Sequence, residues 1–116
     1  MNDYAYCLFQ LKHTREVDYA WMPWHYAKDK IYLDDYENVY YDHINAETEI
    51  EALNKLFEKF NIDHPTDFTG HSMSVSDIIC LIRDDSCDWY YCDSFGWKKV
   101  TEVLAERRVR NDYLYS

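Results

Sequence analysis

The sequence contains very few of the residues that interrupt regular structure. It has only two glycines, Gly70 and Gly96, and two prolines, Pro23 and Pro65, among 116 residues. With so few turn-forming residues there is little room for flexible linkers between separate units. A chain of this length is large enough for one hydrophobic core but not for two. We therefore expect residues 1–116 to form a single domain.

Signals for export, membrane insertion and metal binding are also missing. The N-terminus carries Asp3 and has no basic region in front of an apolar one. No apolar run approaches the roughly 20 residues of a membrane helix. Of the four cysteines, Cys87 and Cys92 are closest in sequence, but they lack a second pair and a histidine at ligand spacing. We expect a cytoplasmic protein with reduced thiols, no membrane contact, no metal and no cofactor.

Positive charge is scarce as well. The chain has 12 lysines and arginines against 22 aspartates and glutamates, which gives a net charge of −10. The segment from Ile31 to Trp97 holds fifteen acids and only Lys55, Lys59 and Arg83, a net charge of −12. Such a field repels nucleic acid and attracts basic proteins. We therefore expect a basic protein partner and no direct binding to nucleic acid.

Aromatic residues are abundant, and they indicate a folded protein. Tyr, Phe and Trp make up 18% of the chain, far more than a disordered acidic tail contains. The segment 4–11 has the composition of a strand buried on both faces, and 37–44 alternates as a second strand. The apolar run Ile78–Ile82 predicts a central strand, paired antiparallel with Trp89–Ser94 across an acidic turn.

One long helix is predicted over residues 45–61. Asn45 is a suitable N-cap, and acids early in the segment and lysines late in it suit the helix dipole. Its predicted apolar stripe consists of Ala46, Ile50, Leu53, Leu56, Phe57 and Phe60. A short helix is predicted within KKVTEVLAERR, with Val100, Val103 and Leu104 on one side. The expected class is α+β, a small and mostly antiparallel sheet with helices covering it.

The stretch GHSMSVSDIICLI, residues 70–82, poses the question of catalysis. A serine nucleophile needs a strained turn and a base within hydrogen-bond reach. His71 and Ser72 are adjacent, and neighbours in an extended chain point to opposite faces. Ser72, Ser74 and Ser76 would share one face and bond to loop backbone groups, as would Asp77. We predict a structural motif with no catalytic residues.

Both parts of this region resemble a known family. GHSMSVSDIICLIRD followed by WYYCDSFGWKKV is similar to the YodL-like domain of small bacterial and mobile-element proteins, over about residues 64–104. The resemblance implies a setting in plasmids, phages and conjugative elements rather than a reaction. The residues assigned to the structural motif are Gly70, His71, Ser72, Ser74, Ser76, Asp77, Asp93, Ser94, Phe95 and Gly96.

Two classes of function remain open. In the first, the protein is a DNA mimic from a mobile element that inhibits a host defence nuclease, as anti-CRISPR or anti-restriction proteins do, by occupying a basic nucleic-acid channel. A regulatory partner-binding domain of a conjugative element differs from it only in the target. In the second class, the protein is a small hydrolase that uses His71 and Ser72. The predicted partner-binding residues are Asp34, Asp35, Tyr36, Glu37, Tyr40, Asp42, Glu47, Glu51, Asp84 and Asp85.

Overall fold

The computed structural model describes residues 1–109, which form a five-stranded antiparallel sheet with helices packed on it. The predicted α+β class is confirmed. The strands are β1 (Asn2–Leu11), β2 (Tyr36–Ala46), β3 (Ile78–Arg83), β4 (Ser86–Cys92) and β5 (Trp97–Lys99), in the spatial order β2-β1-β3-β4-β5. The helices are α1 (Trp24–Ala27), α2 (Glu49–Ile62) and α3 (Thr101–Glu106), with a 3-10 turn at Leu33–Asp35.

The predicted antiparallel pairing of the central hairpin is confirmed, but its second strand is Ser86–Cys92 rather than Trp89–Ser94, because the turn takes only two residues and Asp93 and Ser94 belong to the next turn. β3 occupies the middle of the sheet, where its apolar residues are covered on both faces, and it pairs antiparallel with β4. Arg83 lies opposite Ser86, so Asp84 and Asp85 alone make the turn. Asp84 has a φ of +54°, a conformation that a two-residue hairpin turn requires and that aspartate tolerates.

The two faces of the sheet are covered to different extents. On one face, α2 packs over the inward residues of β1, which alternate as Tyr4, Tyr6 and Leu8 and are buried. On the other face, the segment 12–35 and α3 cover only part of the sheet, and Ala5 and Cys7 are half-buried. The prediction that β1 is buried on both faces is therefore wrong for its N-terminal half, because within residues 1–109 the cluster on the second face includes Phe9 and Leu11 of β1 but not Ala5 or Cys7.

The long helix starts later than predicted. Asn45 belongs to β2, and Thr48 is the N-cap, with its Oγ1 accepting from Glu51 N at 3.1 Å. The buried face consists of Ala52, Leu53, Leu56 and Phe60.

Two members of the predicted stripe of α2 lie outside this buried face. Ile50 and Phe57 are 52% and 42% exposed. At 3.6 residues per turn they point roughly 90° away from the buried centre of the helix. Ala46 is buried, but within β2.

The C-terminal part of the described chain also differs from the expectation. Trp97–Lys99 pairs with β4 as an edge strand, so the helix begins at Thr101 rather than Lys98. Val100 and Leu104 are buried, as predicted for the inner side of this helix. Residues 110–116 lie outside the described residues, so a single domain over 1–116 stays a prediction.

Candidate functional site

The ten residues predicted to bind a partner do not form one surface. Glu37 pairs with Gln10, near the C-terminal end of β1. Asp34 and Asp35 lie in the 3-10 turn just before β2. Asp84 and Asp85 lie beside the N-terminal end of β1. At about 3.4 Å per residue, the ten residues of β1 separate the two groups by roughly 30 Å. The charge is therefore divided between opposite ends of the sheet.

The denser group is called here the acidic end. Its members are Asp3, Glu47, Glu49, Glu51, Asp84, Asp85 and Asp88. They come together because β1 begins, β2 ends, α2 begins and the β3–β4 hairpin turns at this edge. A cleft of about 150 Å³ opens here, lined by Tyr4, Arg83 and three of the carboxylates. The Arg83 guanidinium lies over the Tyr4 ring, 5.9 Å from its centroid.

Some carboxylates of the acidic end have cationic neighbours on the surface. Lys55 Nζ lies 3.1 Å from Glu51 Oε1, and Lys99 Nζ lies 3.4 Å from Asp88 Oδ1. Such exposed pairs are weak and exchange readily with other charges. Within residues 1–109, none of the ion pairs includes the turn at 84–85. The carboxylates of Asp84 and Asp85 are therefore exposed to solvent at the turn.

Tyr36 was wrongly assigned to the partner surface. Its side chain is only 4% exposed, and its hydroxyl donates to Ser76 O at 2.6 Å. Burial raises the pKa of this hydroxyl well above its ordinary value. The neighbouring Asp35 is half-buried and accepts a hydrogen bond from the Tyr19 hydroxyl. These side chains hold the 12–35 segment against the sheet instead of facing solvent.

Tyr40 and Asp42 lie in the middle of β2, on the face covered by α2. The Tyr40 hydroxyl donates to Asp67 Oδ1 at 2.8 Å, and its ring contacts Phe60 edge-on at 5.6 Å between centroids. Asp42 lies directly opposite Tyr6 across the β1–β2 pair. Both residues are half-buried. Because they lie in the middle of β2, they belong to neither end of the sheet.

The GHS motif is organised around the buried carboxyl group of Asp77. Its Oδ2 accepts from Gln10 Nε2 at 3.0 Å and from Ser74 N at 3.0 Å. Gln10 also donates to His71 O at 2.8 Å and accepts from His71 N at 3.2 Å. Burial raises the pKa of Asp77 to about 7, although the bonds from Ser74 and Gln10 act in the opposite direction.

Gly70 is required by this packing. A Cβ atom there would lie 2.4 Å from Gln10 Oε1 and 2.7 Å from Phe68 Cζ. Any side chain at this position would therefore displace the amide that holds the loop to β1.

The three serines of the motif do not share one face. Ser72 is exposed, Ser74 is half-buried and Ser76 is fully buried. Ser76 has a φ of +84° and its Oγ accepts from Trp21 N at 3.1 Å. The period-two prediction is wrong because residues 74–77 form a turn, closed by Asp77 N donating to Ser74 O, before β3 begins.

The ring of His71 contacts backbone rather than a serine hydroxyl. Its Nδ1 lies 2.7 Å from Ser72 O, and the Ser74 hydroxyl donates to the same carbonyl oxygen at 3.0 Å. The Trp21 ring meets the imidazole edge-on, with 5.4 Å between centroids. This arrangement supports the prediction of a structural motif, which stays a prediction.

The second half of the motif forms the turn between β4 and β5. Asp93 Oδ1 accepts from Ser94 N at 2.8 Å and from Trp24 N at 3.0 Å, which joins the turn to α1. Gly96 has a φ of +79°, which glycine adopts without strain. Phe95, also assigned to the structural motif, is 98% exposed at the tip. Its side chain packs against little of the protein and is available to another molecule.

Three residues of these clusters were missed in the sequence. Gln10 had a signal, because it is a polar residue that continues the inward alternation of Tyr4, Tyr6 and Leu8 in β1. Tyr6 and Asp67 had none, because their roles depend on how α2 and the 63–77 segment pack on the sheet. No group of three His, Cys, Asp or Glu side chains within residues 1–109 could hold a metal ion, and the four cysteines are free.

Comparison with known proteins identifies the family of this chain. The family model for the YodL-like domain matches residues 5–103, which include all five strands from Ala5 onward. The match reaches well before residue 64, so it covers β1 and Gln10 as well as both halves of the motif. No curated protein and no solved structure is significantly similar to this chain. No helix within residues 1–109 is long and apolar enough to cross a bilayer.

Proposed function

The chain belongs to the family of YodL-like domains, and we propose that it is an acidic, non-enzymatic binding protein carried by a mobile element or phage. Its target is a host defence nuclease, and it acts in the cytoplasm as an anti-CRISPR or anti-restriction inhibitor. It occupies a basic nucleic-acid channel of that enzyme. The observation that supports this proposal is the acidic end of the sheet.

The charge density of the acidic end is comparable with that of DNA. Its carboxylates lie at the end of β2, the start of β1, the start of α2 and the β3–β4 hairpin. They therefore extend across four strands, a width of roughly 14 Å at about 4.8 Å per strand. Duplex DNA carries about eight phosphate charges over the same length of axis. The acidic end presents seven carboxylates, some of them in weak surface pairs. Lysines and arginines of a nucleic-acid channel can replace those partners.

The contacts of the motif support a non-enzymatic role. A hydrolase would use the His71 imidazole with the Ser72 hydroxyl, but Nδ1 of His71 lies 2.7 Å from the Ser72 carbonyl oxygen instead. The neighbouring Asp77 carboxyl group accepts from Gln10 Nε2 and from Ser74 N. Asp77 is only 1% exposed, so a substrate cannot reach its carboxyl group without opening the loop.

A pair of charge-reversal variants tests the proposal. Asp84→Lys with Asp85→Lys should slow association with a CRISPR or restriction nuclease, because steering depends on exposed charge. Asp34→Lys with Glu37→Lys makes the same change in net charge at the opposite end of the sheet and should leave the on-rate nearly unchanged. Association is measured by biolayer interferometry over a salt series, with and without competing nucleic acid. Equal effects of the two variants, or binding indifferent to salt and nucleic acid, would refute the proposal.

Phe95 favours a second candidate, a regulatory partner-binding domain of a conjugative element. An aromatic side chain that is 98% exposed on a hydrogen-bonded turn can anchor a protein contact. Phe95→Ala should then weaken partner binding at all salt concentrations, whereas the channel inhibitor should lose little affinity. Comparing this variant with the charge-reversal pair against the same partner separates the two candidates.

A further inference from the structure

The hydroxyl of Tyr6 is buried without a hydrogen-bond partner. The side chain is 0% exposed, and its OH is the only such orphaned side-chain polar atom within residues 1–109. Buried hydroxyls in folded proteins nearly always have a partner. Tyr6 Oη can therefore form a hydrogen bond with a group that the described chain does not supply.

Two carboxylates lie in the neighbourhood of this hydroxyl. Asp42 lies directly opposite Tyr6 on the face covered by α2, and Asp67 is held nearby by the Tyr40 hydroxyl at 2.8 Å. Burial raises the pKa of Tyr6, and the charge of Asp42, the Tyr40 hydroxyl and the charge of Asp67 raise it further. Neither acid takes part in an ion pair within the described chain.

Aromatic rings form the walls of the same cluster. The Tyr40 ring centroid lies 6.5 Å from that of Tyr6, and the Phe60 centroid lies 6.2 Å from Tyr6 and 5.6 Å from Tyr40, so the three rings pack together. Tyr40 is half-buried and Asp67 is exposed, so their hydrogen bond covers the cluster from the solvent side. Exposed hydrogen bonds of this kind open at small cost, which makes the cluster reachable from outside.

We propose that Tyr6, Tyr40, Asp42 and Asp67 form a binding site for a guanidinium group, the arginine side chain of a partner. A guanidinium offers five N–H donors in one plane, enough for both carboxylates and for the Tyr6 oxygen. Its flat cation also stacks against aromatic rings, which an ammonium does less well. That the arginine belongs to a basic protein rests on the proposed function, whereas the site itself does not.

The test uses N-acetyl-arginine amide as the ligand and ¹⁵N-labelled protein observed by NMR. We expect saturable shifts at the amides of Tyr40, Asp42 and Asp67, with a dissociation constant on the order of millimolar. N-acetyl-citrulline amide, which has the same shape without the charge, should give no saturable shift. Asp42→Asn and Asp67→Asn should each weaken arginine binding by roughly tenfold.

Two tyrosine variants separate binding from folding. Tyr6→Phe removes a hydroxyl without a partner, so it should keep or increase stability while weakening arginine binding at least about threefold. Tyr91→Phe removes a buried hydroxyl that donates to Met22 O at 2.5 Å on the other side of the sheet. It should lower stability and leave arginine binding unchanged.

The outcomes also distinguish this site from the proposed function. Equal shifts with citrulline, unaltered arginine binding by Tyr6→Phe, or shifts confined to the acidic end would overturn the site. Arginine binding here by a protein that ignores every defence nuclease would keep the site and remove the proposed function. A nuclease complex unaffected by Asp42→Asn would keep the function and show that the partner's arginine does not use this site.

Discussion

The buried carboxyl group of Asp77 should make the stability of the fold depend on pH. Burial raises its pKa from 3.8 to about 7 in the folded protein, whereas the unfolded chain keeps a value near 4. Between these values the folded state binds more protons than the unfolded state. The free energy of unfolding therefore falls as the pH rises from about 4 to about 7.

Asp77→Asn removes this dependence because an amide does not titrate in that range. The amide oxygen can still accept from Gln10 Nε2 and Ser74 N, which lie 3.0 Å from Oδ2 in the native protein. A shift of about three pKa units at 1.36 kcal/mol each corresponds to about 4 kcal/mol. Relative to the native protein, the variant should gain stability by up to about this amount between pH 4 and pH 7.

The measurement is urea unfolding followed by tryptophan fluorescence, at steps from about pH 4 to about pH 8. The difference between the two proteins isolates Asp77, because the other carboxylates are present in both. Asp85→Asn, which removes the same charge from an exposed turn, serves as the control and should run parallel to the native protein. A difference between native protein and Asp77→Asn that stays constant over the pH range would refute the reasoning, whatever the sign of the offset.

Three further predictions concern stability and can be checked by the same unfolding assay. Gly70→Ala should lower the free energy of unfolding by about 1 to 3 kcal/mol, because a Cβ 2.4 Å from Gln10 Oε1 displaces the amide that holds the motif; a loss below about 0.5 kcal/mol would contradict this packing. Gly96→Ala should cost only about 1 kcal/mol, since the site is open and only its φ of +79° is unfavourable; a larger cost would mean that the turn packs more tightly. Thr48→Ala should cost about 1 kcal/mol through loss of the N-cap, with Thr48→Ser restoring it; an equal loss in Thr48→Ser would exclude capping.

The parts of the fold that were predicted correctly have local causes. Ile78–Ile82 is apolar without alternation, and that pattern fits a strand covered on both faces, as β3 is. The start of α2 was placed wrongly because Asn45 and Thr48 are both good N-caps. Because β2 pairs with β1 as far as Ala46, Asn45 is part of a strand and Thr48 becomes the N-cap of α2. The local sequence contains no signal for that pairing.

The candidate site was harder to predict than the fold. A sum of charges along the chain found the acidic segment but could not show that Asp34 and Asp84 lie at opposite ends of β1. Tyr36 was taken for a surface residue because tyrosine is common both in cores and at interfaces. Tyr6 and Asp67, which come from positions 61 residues apart, meet only after α2 has packed on the sheet.

Because β1 lies between β2 and β3 in the sheet, fragments and nascent chains that lack one of these strands leave an edge unpaired. β1 pairs with β3 through residues 5–9 and 78–82, so its second neighbour leaves the ribosome only after most of the protein has been made. Until then a nascent chain carries β1 with one edge open, which slows folding and requires protection from association. Conversely, a peptide of residues 64–104 would contain both halves of the motif and yet expose the isoleucine-rich edge of β3. Such a fragment should aggregate, so the motif can be studied only in a chain that retains its first strand.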